Sequence, residues 1–206
     1  MKRAAVFTLL LAIVIGAGST RLALAQRDAT PSAAPEVAFA LPTVEQVPEG
    51  MVIISDGDRT LDDVASGFSD PVATIEQFVA WGWQGNVIRA FHFAGEGEAD
   101  PREIDGIYIS VHQFGTPEFA AEALDYSVDE HLLDPAIEEV AGDRLGDYSR
   151  MLSGDMAYGR EITWYVQRGT LVIRLSASSP EGDPAGDATR LTQAMLDAQP
   201  ATPVAA

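Results

Sequence analysis

Three groups of residues in this 206-residue chain have the types and spacing to do chemistry. Asp56 and Asp58 stand two apart behind the apolar run Val52-Ile53-Ile54. A calcium loop beginning at Asp56 is excluded, because its sixth position is Leu61 where glycine is needed and its twelfth is Gly67 where glutamate is needed. The second group is the three histidines, His92, His112 and His131. With no cysteine and no His-Glu-x-x-His pattern they give no metal set, and we expect none. The third group is aromatic: Trp81, Trp83, Phe91, Phe93, Tyr108 and Phe114 gather around the first expected hairpin. Core filling accounts for most of these rings. The functional alternative is a groove for a sugar, a peptide or an apolar ligand, with Trp81, Trp83, Tyr108 and His112 as its binding residues.

Several mechanisms are excluded by what the chain lacks. Lys2 is its only lysine, so Schiff-base, P-loop and Ser-Lys chemistry have no amine once a leader is removed. No Gly-x-Ser-x-Gly elbow anchors a hydrolase triad. The segment Val52-Ile53-Ile54-Ser55-Asp56-Gly57-Asp58-Arg59-Thr60-Leu61 is similar to the first motif of haloacid-dehalogenase-type phosphatases. That resemblance implies Asp56 as nucleophile and Asp58 as general acid/base, both close to magnesium. Gly182-Asp183-Pro184-Ala185-Gly186-Asp187 resembles the late acidic motif of the same family. Against it stand the missing phosphate-holding lysine and strands that read as hairpins where the family has parallel units. Turn and helix-cap positions demand these same residue types, so Asp56 is expected to be a turn residue.

The elements that must position these residues begin with Ile162 to Ala177. A turn at Arg168-Gly169 puts Ile162, Trp164 and Val166 on one face with Leu171, Ile173 and Leu175, and puts Thr163, Tyr165, Gln167, Thr170, Val172 and Arg174 on the other. Asn86–Phe93 and Gly106–Phe114 read as two further strands, the second with Ile107, Ile109 and Val111 inward and Tyr108, Ser110 and His112 outward. For the first of these either face fits, since Val87, Phe91 and Phe93 bring Arg89 with them and Ile88 and Ala90 bring His92. Short strands are expected near Met51–Ile54, Ile137–Val140 and Tyr148–Leu152. Helices are expected after Thr60, after Asp70-Pro71 with Val72, Ile75, Phe78 and Val79 inward, after Thr116-Pro117, and after Asp183-Pro184. The fold class is therefore α+β, an antiparallel sheet of about five or six strands built from hairpins, with helices packed on one face.

The N-terminus has the order of a secretory signal: Lys2-Arg3, an uncharged run from Ala4 to Gly18, then Ala23-Leu24-Ala25. The expected layout is a signal peptide over 1–25, a Pro-rich linker over 26–50, one domain over 51–198 and a tail over 199–206. A run of about 15 apolar residues is shorter than the roughly 20 that span a bilayer, so no stable membrane anchor is expected. Three of the 13 basic residues lie in the leader, which leaves 10 against 31 acidic ones, a net charge of −21. Nucleic acid is an unsuitable partner for such a surface. The acidic stretch with Glu96, Glu98, Asp100, Glu103 and Asp105 reads as solvated surface.

Trp81-Gly82-Trp83, Arg89-Ala90-Phe91, Ser110-Val111-His112-Gln113-Phe114, Leu145-Gly146-Asp147 and Tyr165-Val166-Gln167-Arg168-Gly169 resemble a set of uncharacterised exported bacterial proteins. The order of elements also looks like that of PsbP-type and extracytoplasmic sensor-type domains. The resemblance implies an exported domain and supplies no catalytic residue. The sequence thus leads to a secreted, non-enzymatic domain, with no cofactor, that binds a small molecule or a protein. The alternative is the magnesium-dependent phosphatase using Asp56 and Asp58. N-terminal sequencing of exported material is expected to read from Gln26; Met1 retained on a membrane fraction would make residues 4–18 an anchor.

Overall fold

The computed structural model describes residues 39–94 and 103–199. The expected leader, residues 26–38, the acids Glu96, Glu98 and Asp100, and residues 200–206 lie outside the described residues. The described elements run β1 (Met51–Arg59), α1 (Leu61–Ala65), α2 (Pro71–Ala80), β2 (Gly85–Phe93), β3 (Gly106–Gln113), α3 (Pro117–His131), β4 (Ile137–Val140), β5 (Tyr148–Met156), β6 (Gly159–Arg168), β7 (Leu171–Ser179) and α4 (Ala185–Asp197). A 3-10 turn at Val44–Gln46 precedes them.

Local chemistry sets the helix starts. Thr60 Oγ1 accepts the Asp63 N–H at 3.1 Å and the Asp63 carboxylate accepts the Thr60 N–H at 3.1 Å, a reciprocal cap that starts α1. Asp70 and Thr116 cap α2 and α3 through Ala73 N–H and Phe119 N–H, each followed by a first-turn proline. Gly82, at φ 66°, ends α2 in the left-handed conformation that glycine takes without steric cost.

The strands form one antiparallel sheet in the order β1-β2-β3-β7-β6-β5-β4. The α+β class holds, with seven strands where five or six were expected. β1 continues through Asp56-Gly57-Asp58 to Arg59, paired with β2 across a bulge between Ile53 and Ser55. Asp56 is therefore a strand residue and not the expected turn. The turn of the β6–β7 hairpin is Gly169-Thr170, one residue later than expected, because Arg168 pairs with Leu171 and Gly169 takes φ 57° at the first central position. The register moves by two residues, so the side chains keep their faces.

Helices cover both faces, contrary to the expectation of one. On the first face Ile107, Ile109, Val111, Trp164, Val166, Ile173 and Leu175 pack with Ala188, Met195 and Leu196 of α4. Phe39 and Val47, within the stretch expected to be linker, are buried in the same cluster. On the second face Leu152, Tyr165 and Val172 pack under Ala120, Ala123, Leu124 and Val128 of α3, beside Phe78 and Trp81. Polar residues there are buried because they are paired: Thr163 and Ser176 hydroxyls meet at 2.6 Å, and Gln167 Nε2 donates to Pro117 and Gly169 carbonyls. Composition therefore made a covered face look wet.

The inward stripe of α2 also differs. Val72 and Val79 are exposed, while Thr74 and Phe78 are buried. Thr74 Oγ1 bonds the Asp70 carbonyl and the Tyr126 hydroxyl, and the Phe78 ring meets Phe114 edge-on at 5.4 Å, which fixes the helix rotation. Two substitutions read this arrangement in urea denaturation. Leu175→Ala, at a fully buried site, is expected to cost about 2–5 kcal/mol. Val79→Ala is expected to stay within about 0.5 kcal/mol.

Candidate functional site

The second face carries two neighbourhoods, divided along β3. At one end His112 pairs across strands with Asn86 and Val172; further along, Tyr108 pairs with Ala90 and Ser176. About four residues of strand separate them, roughly 13 Å. The four expected ligand-binding residues divide accordingly.

Trp81, Trp83 and His112 belong to the docking of α2. Trp81 is buried, its Nε1–H donating to Glu122 at 2.7 Å and its ring touching Phe78 and Tyr126. Trp83 Nε1–H donates to His112 Nδ1 at 3.3 Å. An indole nitrogen only donates, so Nδ1 must be the bare nitrogen and Nε2 carries the proton. That proton faces Ser110 Oγ at 3.1 Å, and Ser110 Oγ also accepts from Asn86 Nδ2 at 2.8 Å. A general base would need the opposite tautomer, so the Ser110–His112 pair is not an activated nucleophile. Burial, and then the positive charges of Arg59 and Arg174, push the His112 pKa down to about 3, so the ring is neutral at pH 7. The Oδ1 of Asn86 is the buried side-chain atom without a hydrogen-bond partner among the described residues.

Tyr108 belongs to a different cluster. Its hydroxyl accepts from Arg59 Nη1 at 3.2 Å, while Arg59 Nη2 donates to the Asp63 carbonyl of α1. The Arg174 guanidinium carbon lies 5.4 Å from the centroid of the Tyr108 ring and 5.8 Å from that of Tyr165, so two rings flank it. Its Nε donates to Ser176 Oγ at 3.3 Å, and its Nη2 is 4.0 Å from Glu161 Oε1, beyond hydrogen-bond length. The Glu161 oxygens are already engaged by the hydroxyls of Thr163 at 2.9 Å and Tyr158 at 2.6 Å. His131, at the end of α3, reaches the Tyr165 hydroxyl with Nδ1 at 3.2 Å. Burial and then Arg174 depress its pKa to about 4.

The two central arginines thus raise the local potential in a strongly acidic chain. One third of the Arg174 side chain remains accessible, and Tyr108 is half-buried. Sequence reading placed Tyr108 and Arg174 correctly as outward residues of their hairpins but missed that β3 pairs with β7 and brings them together. Arg59, Tyr158 and Glu161 gave no signal, since their convergence depends on the cap of α1 and the end of the β5–β6 hairpin.

The carboxylates of the phosphatase motif stand elsewhere. Asp56 faces the first side of the sheet, where Arg89 Nε and Nη2 hold both its oxygens at 3.0 and 2.9 Å. Asp58 is exposed on the same edge strand. This also resolves β2: Val87, Arg89 and Phe91 face the first side, with Arg89 neutralised by Asp56 and by donation to the Pro42 carbonyl. His92 and His112 share the second face but lie six residues apart in register, roughly 20 Å. A cleft of about 860 Å³ lies on the first side between α4 and the 3-10 turn, lined in part by Val47, Phe93, Ile104 and Leu191. Its rim includes residues that flank 95–102, which lie outside the described residues. The Tyr108 cluster is built wholly from described residues.

No family model matches this chain, and no curated protein matches it. Among solved structures, the extracellular domain of PknH from Mycobacterium tuberculosis is similar at 12% identity and a TM-score of 0.47, over 77% of this chain and 93% of that one.

The depressed histidine pKa values carry a pH dependence. Both are lowered on folding, so the unfolded chain binds more protons below about pH 6.5 and stability falls as pH drops towards 4 and then 3. Each histidine adds at most about 1.4 kcal/mol per pH unit in that window. His112→Gln is expected to flatten the loss of stability between pH 6.5 and 4 by about one proton, measured by urea denaturation at stepped pH.

Proposed function

We propose that this chain is an exported, non-enzymatic binding domain whose ligand sits on the open part of the second sheet face, over Tyr108 and Arg174. One observation carries the reading. The centre of the sheet is covered by helices on both faces, yet this cluster keeps an accessible guanidinium and a half-buried phenol side by side, fixed by ring stacking and hydrogen bonds. Pre-set side chains lose little freedom on binding, which is what a recognition surface needs. The leader-type N-terminus supports export, and the acidic surface is against nucleic acid as the partner.

The phosphatase alternative has less support. Its two carboxylates lie on an edge strand of an antiparallel sheet, one already bound to arginine, and the chain downstream of Arg3 holds no lysine. Trp81, Trp83 and His112 enter the proposed site only as its foundation, by fixing α2 against β3.

The reading is tested by ligand-observed NMR with a mixed fragment library. Hits are expected to compete with one another for one site and to lose binding about tenfold or more in Tyr108→Ala, while Val79→Ala, at an exposed position of α2, leaves them unchanged. Hits that survive Tyr108→Ala and are displaced by Leu191→Trp would move the site to the cleft beside α4.

A further inference from the structure

The chemistry of the Tyr108 cluster goes one step further and selects a class of ligand; this step rests on the binding reading above. We infer that the cluster is a receptor for a small organic monocarboxylate, gripped by Arg174, Tyr108 and Arg59.

Tyr108 accepts from Arg59 through its oxygen, and among the described residues its own proton has no acceptor. Arg174 uses Nε on Ser176, and its two terminal nitrogens make no hydrogen bond among the described residues, the nearest carboxylate oxygen being 4.0 Å away. Arg59 spends one N–H of Nη1 on Tyr108 and one of Nη2 on Asp63. A guanidinium has five N–H groups, so each arginine keeps more than one. Glu161, the carboxylate nearest Arg174, already accepts from Thr163 and Tyr158. What remains is the Tyr108 proton and the spare donors of two arginines that both touch Tyr108, Arg59 at its hydroxyl and Arg174 over its ring. Such a set is complemented by acceptor oxygens carrying negative charge.

Elsewhere in this chain arginines meet carboxylates closely. Arg89 holds Asp56 with two bonds, and Arg150 holds Glu139 with two while reaching Asp125 and Asp129. Among the described residues the only carboxylate paired with Arg174 is Glu161, at 4.0 Å and so without a hydrogen bond, and none forms an ion pair with Arg59. The flanking rings hold Arg174 in place without neutralising it.

The size and charge of the ligand follow from the surroundings. Glu161 cancels part of the local positive charge, and the net charge of the chain repels polyanions at a distance, so a monoanion is favoured over a phosphate dianion. The planar fork of a guanidinium matches a carboxylate in geometry. Ile88 and the Tyr108 ring, on neighbouring strands of this face, offer apolar contact to the rest of the ligand.

The test uses the purified chain downstream of the expected leader, residues 26–206, at constant ionic strength and pH 7. Benzoate, acetate, their neutral amides benzamide and acetamide, and inorganic phosphate are titrated while the tyrosine ring signals are followed by NMR, with the Tyr108 signal assigned from Tyr108→Phe. Benzoate is expected to shift the Tyr108 ring saturably and to bind at least about tenfold tighter than benzamide, since hydrogen bonds to a charged acceptor are about twice as strong as those between neutral groups. Arg174→Gln is expected to weaken benzoate about tenfold or more, and Arg59→Gln severalfold. Should Arg174→Gln fail to fold, Arg59→Gln and the acid-to-amide comparison decide the question. Benzamide binding as well as benzoate would overturn the carboxylate assignment and leave the binding site standing. Phosphate binding tighter than either carboxylate would overturn the choice of monoanion. Failure of every probe to move Tyr108 saturably would overturn the carboxylate receptor, and a fragment screen also insensitive to Tyr108→Ala would remove the site itself.

Discussion

Strand β7 is hydrogen-bonded to β3 on one side and to β6 on the other, and this double pairing constrains everything else. Side chains alternate with a period of two, so once Leu175 faces Ile109 and Trp164, Arg174 must face Ser110 and Tyr165. A slip of one residue in β7 would bury Arg174 between Ile109 and Trp164, on the face covered by α4. The charge would have no partner there, at a cost of several kcal/mol. The apolar residues of one face thus determine the polar cluster on the other.

The parity of the strands was legible because it is written in local alternation. Ile107, Ile109 and Val111 against Tyr108, Ser110 and His112 is a pattern that needs no knowledge of neighbours. Helix starts were equally readable, since Thr60, Asp70 and Thr116 bond groups three residues away. What could not be read was pairing between strands distant in sequence. Nothing in residues 106–113 says that their neighbour is 171–179 rather than 159–168, and the Tyr108–Arg174 contact exists only through that choice. Sequence proximity alone groups Trp81, Trp83, Tyr108 and His112. Trp81 and Trp83 proved to be anchors of α2, and only Tyr108 reached the open cluster.

The covered second face was illegible for a different reason. Thr163, Tyr165, Gln167 and Ser176 are the residues that composition assigns to water. They are buried because each finds a partner, hydroxyl to hydroxyl, amide to carbonyl, phenol to imidazole. Satisfaction of a polar group is a property of pairs, and a single sequence shows only the members. The same limit applies to Val72 and Val79, whose apolar character suggested burial. Thr74 lies inside instead, because the Tyr126 hydroxyl meets it there.

The placement of charge completes the picture. Arg89 and Arg150 each hold carboxylates in paired bonds, while Arg174 is held by two rings and one hydroxyl, with Glu161 at 4.0 Å beyond hydrogen-bond length. A carboxylate partner would fix an arginine and also neutralise it; an aromatic partner fixes it and leaves its donors available, because the ring offers a face and no lone pair in the guanidinium plane. Burial lowers the pKa values of His112 and His131, and the positive charge of Arg174 adds to the lowering in both. Neutral histidines in turn avoid adding repulsion against Arg174 at neutral pH. Two tyrosine rings and one serine hydroxyl therefore hold the Arg174 guanidinium in place, and among the described residues its terminal donors make no hydrogen bond, in a chain whose net charge is strongly negative.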